Sequence, residues 1–310
     1  MTNRDGDWEI YKINPDGSGL GRLTQDPLDD DYCVWSPNKA QVAFTRWDFS
    51  GYGDIYVVNS DGTNELNLTG VLFQDAIFPA WSPDGTKLAF EGDDGTLNTD
   101  IWVINSDGTG LRNLTNTPAE NEYEPAWSPD GSRVAFLKGG AFDDEIWVIN
   151  SDGTNPLNLT NNPSAFESQP AWSPDGSKIV YLRKNTSFFE DVGVMDSDGT
   201  NQRNLTNTPS LDERDPKWSP DGSKIAFSAE MAGFVFDIQV INLDGTNLVN
   251  LTNTPNLDEE WPVWSASGNQ IAFAGYDAFF QSDLYVMEAD GTNPRNITNT
   301  PSSDEFLPDW

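Results

Sequence analysis

Histidine is absent from this sequence of 310 residues, and cysteine occurs once, as Cys33. The first absence removes the commonest general base and metal ligand, and with them Ser-His-Asp chemistry, Cys-His chemistry and any His-ligated zinc or manganese site. The second rules out an internal disulfide and a Cys-rich zinc cluster. Cys33 itself is expected on a tightly packed inner strand as a buried, inert thiol. Basic residues are also scarce: 17 Lys+Arg stand against 50 Asp+Glu, a net charge of −33. Nucleic-acid binding needs clustered cations to displace counterions, so a phosphate-backbone partner is excluded and anionic membranes are disfavoured. No apolar run approaches the ~18 residues of a membrane span, and Met1 to Asp7 is polar, so neither membrane insertion nor a signal peptide is expected.

What remains is carboxylate, hydroxyl, amide and aromatic chemistry. Aromatic residues make up 12% of the chain, with 12 Trp and 17 Phe, enough for a large core despite the charge. Their arrangement is periodic. Tryptophans in one recurring context fall at Trp35, Trp81, Trp127, Trp172, Trp218, Trp264 and Trp310, at intervals of 46, 46, 45, 46, 46 and 46. Each unit reads Pro-x-Trp-Ser-Pro-Asp-Gly, an Ile-Ala-Phe run, a variable stretch, Asp-Ile-x-Val-x-Asn, an Asp-Gly turn and Asn-Leu-Thr. In the second unit the pattern predicts strand A at Phe78 to Ser82, B at Lys87 to Phe90, C at Asp100 to Ile104 and D at Arg112 to Thr115. Asp-Gly pairs between A and B and between C and D are hairpin signals, and no segment shows helical apolar spacing.

Four short strands per unit, with a tryptophan and turn glycines in fixed phase, predict an all-β protein, a β-propeller of four-stranded antiparallel blades spanning 1–310 as one domain. A solenoid is the rival, but it would need polar capping repeats at its ends. Seven units of 46 would need 322 residues, 12 more than the 310 present. The chain starts after a B strand and stops on the tryptophan of an A strand. Seven blades, the last a composite lacking strand B, are favoured over six, because six leaves Trp8 to Ile13 without a sheet.

The run Pro79-Ala80-Trp81-Ser82-Pro83-Asp84-Gly85-Thr86-Lys87-Leu88-Ala89-Phe90, followed by Asp100-Ile101-Trp102-Val103-Ile104-Asn105-Ser106-Asp107-Gly108, resembles the WD40-like PD40 repeat of TolB-type propellers. The resemblance covers nearly the whole chain and weakens at Asn38-Lys39, Ala266-Ser267 and Cys33. It implies six blades, a periplasmic or extracellular setting and a scaffold that presents one face to a protein partner. The separate N-terminal α/β domain of TolB has no counterpart in this sequence.

Strand order places the nearly invariant A–B and C–D turns on one face and the variable B–C and D–A loops on the other, where binding residues tend to lie. Two sets of residues stand out there. Loop aromatics (Trp47, Phe49, Tyr52, Phe188, Phe189, Phe234, Tyr276 and Phe280) suit an interface, or else fold back over the blades. Five positions before the blade tryptophans stand Asp30, Glu122, Glu167, Glu213, Glu259 and Glu305, broken by Ala76. They would ring the channel mouth and attract a basic, partly apolar protein segment, or else cap their own loops. The acids before strand C and the Asn-x-Thr of strand D read as structural. No cofactor or metal site is expected; calcium at Asp93-Asp94-Gly95 or Asp143-Asp144-Glu145 would lack the alternating ligand spacing.

The reading is therefore a monomeric, non-enzymatic interaction scaffold. One alternative is an acidic structural or adhesive surface module, whose stability would fall as salt is removed. The other is a glycoside-active enzyme using a carboxylate pair, the one hydrolytic chemistry that dispenses with histidine here.

Overall fold

The computed structural model describes residues 1–310 except 94, 96–97, 118–119, 140–143, 163–165, 185–186, 188, 232–234 and 302. Two short strands open the chain, β1 (Tyr11–Lys12) and β2 (Gly21–Arg22). Six four-stranded blades follow, each a simple antiparallel meander. Blade one is β3 to β6 (Asp30–Trp35, Gln41–Trp47, Gly53–Asn59, Leu66–Asn67) and blade two β7 to β10 (Asp75–Trp81, Lys87–Asp93, Thr99–Asn105, Arg112–Asn113). Blade three is β11 to β14 (Asn121–Trp127, Arg133–Gly139, Glu145–Asn150, Leu157–Asn158) and blade four β15 to β18 (Glu167–Trp172, Lys178–Lys184, Glu190–Asp196, Arg203–Asn204). Blade five is β19 to β22 (Glu213–Trp218, Lys224–Met231, Val235–Asn242, Val249–Asn250) and blade six β23 to β26 (Asp258–Trp264, Gln270–Tyr276, Ser282–Glu288, Arg295–Asn296). The chain forms two compact units, one of Asp5–Lys12 with Gly21–Pro170, the other of Met1–Arg4, Ile13–Leu20 and Ala171–Trp310. Among the described residues no helix is long and apolar enough to cross a membrane.

The favoured count of seven blades is corrected to six. Among the described residues the N-terminal C- and D-like segments form the two-stranded β1–β2 ladder, and the C-terminal A-like segment makes an isolated bridge, Thr2 to Glu305, with no four-stranded sheet at either end. The reason lies in the missing strand. In every complete blade strand A pairs with B alone and strand C pairs with B and D, so A-like and C-like segments make no four-stranded blade without a B strand.

Within each blade the local sequence explains the turns. Asp84 Oδ1 accepts from the Ser82 hydroxyl at 2.6 Å and the Thr86 N–H at 3.0 Å, and the Ser82 Oγ accepts the Lys87 N–H at 2.9 Å. Gly85 sits between them at φ 69°, where a Cβ would be strained. The middle strands carry the core. Phe44, Phe90, Phe136, Tyr181, Phe227 and Phe273 occupy one B-strand position and are almost wholly buried. Phe90, Phe136, Phe227 and Phe273 pack against residues of the preceding blade.

The repeat tryptophan links blades by hydrogen bonding as well as packing. Trp81 Nε1 donates to Val34 O at 3.1 Å, Trp127 to Ala80 O at 3.1 Å, Trp218 to Ala171 O at 3.0 Å and Trp264 to Lys217 O at 3.2 Å. Trp127→Phe keeps most of the apolar volume but strands that carbonyl, an expected loss of about 1–3 kcal/mol in urea unfolding. A loss within error of zero would mean that packing alone joins these strands.

Candidate functional site

The six carboxylates singled out before the tryptophans are all at most 4% exposed. Asp30, Glu122 and Glu167 belong to the unit that ends at Pro170; Glu213, Glu259 and Glu305 belong to the other. Most are met by the threonines that follow strand D of the preceding blade. Glu122 accepts from the hydroxyls of Thr115, at 3.0 Å, and Thr117. Glu213 accepts from Thr206 at 2.5 Å, from Thr208 and from the Val192 N–H at 3.0 Å. Glu259 accepts from Thr254, and Glu305 from Thr300 at 2.5 Å and Thr2 at 2.9 Å. The Glu167 N–H donates to Asp144 O at 3.0 Å. Burial pushes Glu122 and Glu213 up to about 7 and Glu259 up to about 8, against the pull of these hydroxyls.

Asp30 has a different partner. Arg46 Nε and Nη2 donate to its two oxygens at 2.6 and 2.9 Å, while Nη1 and Nη2 reach Glu65 at 2.7 and 3.1 Å. The guanidinium lies over Tyr56, 4.6 Å from the ring centroid, and is 4% exposed. Burial raises Asp30 to about 6 against the pull of Arg46, so Arg46→Ala would leave Asp30 buried without its cation and drive it toward the protonated form, an expected loss of about 3–5 kcal/mol. Denaturant unfolding checks this, and a loss below about 1 kcal/mol would show that water replaces the guanidinium.

The other acidic series has a plain structural use. Asp54, Asp100, Asp191, Asp237 and Asp283 each accept the side-chain amide of the strand-D asparagine at 2.6 to 3.0 Å. The Asn-x-Thr sequence is thereby a clamp between strands C and D.

The loop aromatics divide. Trp47 is half-buried, edge-on to Tyr32 with centroids 6.4 Å apart, and Tyr276 is half-buried against Trp261 at 5.9 Å. Phe49 and Phe280 are exposed to 89% and 85%. The Tyr52 hydroxyl accepts from Gln74 Nε2 at 3.0 Å. Phe189 is half-buried, and so is Cys33, which is less enclosed than an inner strand led one to expect. Phe188, Phe234, Asp94 and Asp143 lie outside the described residues. Among the described residues no group of three His, Cys, Asp or Glu is placed to hold a metal.

The residues that sequence reasoning missed sit on strand A. Three positions before the tryptophan, Tyr32, Phe78, Glu124, Gln169, Asp215 and Trp261 all adopt φ of 50–57°. The ladder shifts register at Tyr32, Phe78, Glu124, Asp215 and Trp261, for instance between Tyr123 and Ala126, so each of these is the extra residue of a bulge. A signal existed: proline inside a paired strand occurs at bulges, and Pro79, Pro125, Pro170, Pro216 and Pro262 follow these residues directly.

In the unit that ends at Pro170, the bulges gather a distinctive group. Tyr32 and Phe78 rings lie 4.0 Å apart by centroid. Beside them Glu91, on β8, is 4% exposed and its Oε1 accepts the Glu124 backbone N–H at 2.7 Å. The Glu124 carboxylate accepts the Gln169 N–H at 2.5 Å. Burial pushes Glu91 up to about 8; the Glu124 N–H opposes this, and the charges of Glu124 and Asp75 add to it. Glu91 also acts electrostatically on the half-buried Tyr32. The site thus holds a carboxyl that keeps its proton at neutral pH, a second carboxylate close by, and a paired aromatic surface.

The family model described as PD40, TolB beta propeller domain, matches residues 70–215. No match was found among curated proteins. TolB from Acinetobacter baumannii superposes with TM-score 0.59 at 21% identity, covering 86% of this chain and 62% of its own. Oligogalacturonate lyase from Vibrio parahaemolyticus gives 0.70 at 14% identity, over 93% of this chain and 84% of its own. A puromycin-hydrolyzing peptidase from Mycobacterium tuberculosis gives 0.75 at 15%, over 94% of this chain and 50% of its own. At these identities the likeness is one of fold. It corrects the expectation of a non-enzymatic scaffold nonetheless, since propellers of catalytic proteins fit this chain more closely than TolB does. The absence of histidine, from which that expectation was drawn, leaves carboxylate chemistry untouched.

Proposed function

The chain belongs to the TolB-like β-propellers built of PD40 repeats, and on that premise we propose that it cleaves glycosidic bonds with the carboxyl pair Glu91 and Glu124. The observation that carries this reading is the buried, proton-retaining Glu91, fixed by the Glu124 N–H next to the Tyr32–Phe78 rings. Glycoside cleavage needs one carboxyl to protonate the leaving oxygen and a second to act as nucleophile or to activate water. Because the Glu91 Oε1 is engaged by an N–H, its proton belongs on Oε2, where it can be delivered. Glu124 is the second group, oriented by Gln169. Tyr32 and Phe78, with Trp47 at their edge, provide apolar rings for the sugar face.

The substrate class follows from charge. A chain of net charge −33 repels polyanions, so neutral or amino-bearing oligosaccharides fit this site better than the substrate named for the Vibrio lyase. The family likeness supports a periplasmic or extracellular setting, where such glycans are met. A panel of neutral, amino-bearing and uronate oligosaccharides, read by reducing-end release, tests the proposal. Release from the first two classes that disappears in Glu91→Gln supports it; a panel without release, or release unaffected by that change, refutes it.

A further inference from the structure

A second aromatic group lies in the unit built mainly of residues 171–310. Trp261, the bulge residue of β23, has its ring 5.9 Å from Tyr276 at 69° and 5.6 Å from Phe306 at 43°. All three are half-buried. At these separations the tilted rings touch one another, and each keeps part of its surface open to solvent.

Carboxylates about these rings outnumber the cations, among which Arg4 pairs with Glu305 at 3.0 Å and the Met1 ammonium donates to Phe306 O at 3.1 Å. Glu260, Asp258, Asp304 and Asp215 all bear on the Tyr276 hydroxyl and, after burial, help push it above its ordinary value. Asp258 is fixed by the Phe236 N–H at 2.8 Å, and Asp304 by the Ser282 N–H at 3.3 Å and by Asn3 Nδ2 at 3.2 Å. Against these four carboxylates stands Arg214, whose Nη1 pairs with Glu260 at 3.0 Å while its guanidinium lies over Phe236, 4.2 Å from the centroid. An organic cation held between a carboxylate and an aromatic face is therefore already part of this corner.

We propose that Trp261, Tyr276 and Phe306, with the carboxylates about them, bind a small organic cation of the alkylammonium class. Cations are drawn to aromatic faces by the ring quadrupole, most strongly to tryptophan, and several tilted rings add their attractions. Fixed carboxylates supply the longer-range pull and repel anions. A bare divalent ion fits less well, because no three acids among the described residues are placed as a metal-ligand group. The proposal stands apart from the glycosidic reading, since it uses different residues and needs no turnover.

Calorimetric titration with choline and with its neutral isostere 3,3-dimethylbutan-1-ol tests it on the full chain. Choline is expected to bind in the millimolar range or tighter, and the isostere about tenfold more weakly or worse. Trp261→Leu should weaken choline about tenfold, and Glu260→Gln should weaken it less while flattening its salt dependence. Should Trp261→Leu fail to fold, Phe306→Leu takes its place. Equal binding of choline and isostere, no choline binding at about 50 mM, or unchanged affinity in a folded Trp261 or Phe306 variant overturns the proposal.

Discussion

Glu91→Gln is expected to lower kcat/KM on any glycoside the protein turns over by about a hundredfold or more, with KM little changed. Glutamine preserves the size of the side chain and can still accept the Glu124 N–H through its carbonyl oxygen. It cannot release a proton to a leaving oxygen. General acid catalysis is worth about 10²–10⁴-fold, so the loss should appear in kcat. A substrate with an activated leaving group, which needs no protonation, should recover most of the rate in this variant. Glu124→Gln should not be rescued in that way, because its carboxylate is needed on the other side of the bond. Equal rescue of both variants would show that the two residues do not divide the work.

Acidification should stabilise this protein, against the usual trend. Burial raises Glu91, Glu122, Glu213 and Glu259 from the ordinary 4.5 to between about 7 and about 8. A carboxyl whose folded value lies above its unfolded one favours the fold fully below about 4.5, and that contribution is lost as pH rises through 7–8. Each unit is worth about 1.4 kcal/mol, and 1 kcal/mol moves Tm by about 2 °C in proteins of this size. Even with much of the shift relaxed away, Tm at about pH 5.5 should exceed that at about pH 8.5 by 5 °C or more. Lower still the trend reverses. Asp130, Asp175 and Asp221, held at about 2 by serine hydroxyls in the A–B turns, lose their contribution as pH falls below 3.8. Relief of the net negative charge also stabilises the fold on going from pH 8.5 to 5.5, but it is screened by about 1 M salt, whereas the buried carboxyls are not. Glu259→Gln and Glu122→Gln should each flatten the slope. A Tm that is level or rises from pH 5.5 to 8.5 in high salt would mean these carboxyls ionise inside the fold without cost.

Much of this architecture can be read from the chain. The spacing of Trp35, Trp81 and their equivalents marks strand A, and the Ser-Pro-Asp-Gly runs mark turns whose hydrogen bonds are all local. Strand D is shorter than Arg112 to Thr115: the ladder covers Arg112–Asn113, the Leu114 N–H still donates to Ile101 O at 2.8 Å, and Thr115 turns its hydroxyl to the Ile101 N–H. Closure was misjudged for a different reason, since a count of strand-like segments does not reveal whether two of them share a partner. Glu91 escapes the sequence reading because that reading ends strand B at Phe90, whereas β8 runs on to Asp93. Its chemistry arises from the backbone of Glu124, 33 positions on, and from a bulge that periodicity smooths over. The acids at Glu122 and Glu213 were legible as a series, but their burial depends on threonines contributed by the neighbouring blade.

The proton on Glu91 is the centre of this account, and a carbon-13 NMR titration of its side-chain carboxyl measures it without any substrate. Comparison of the wild-type spectrum with that of Glu91→Gln assigns the signal. The account predicts a midpoint near 8, moving toward the ordinary value when Glu124→Gln removes the neighbouring charge. A midpoint between about 4 and 5, with Glu91 ionised at neutral pH, would contradict it.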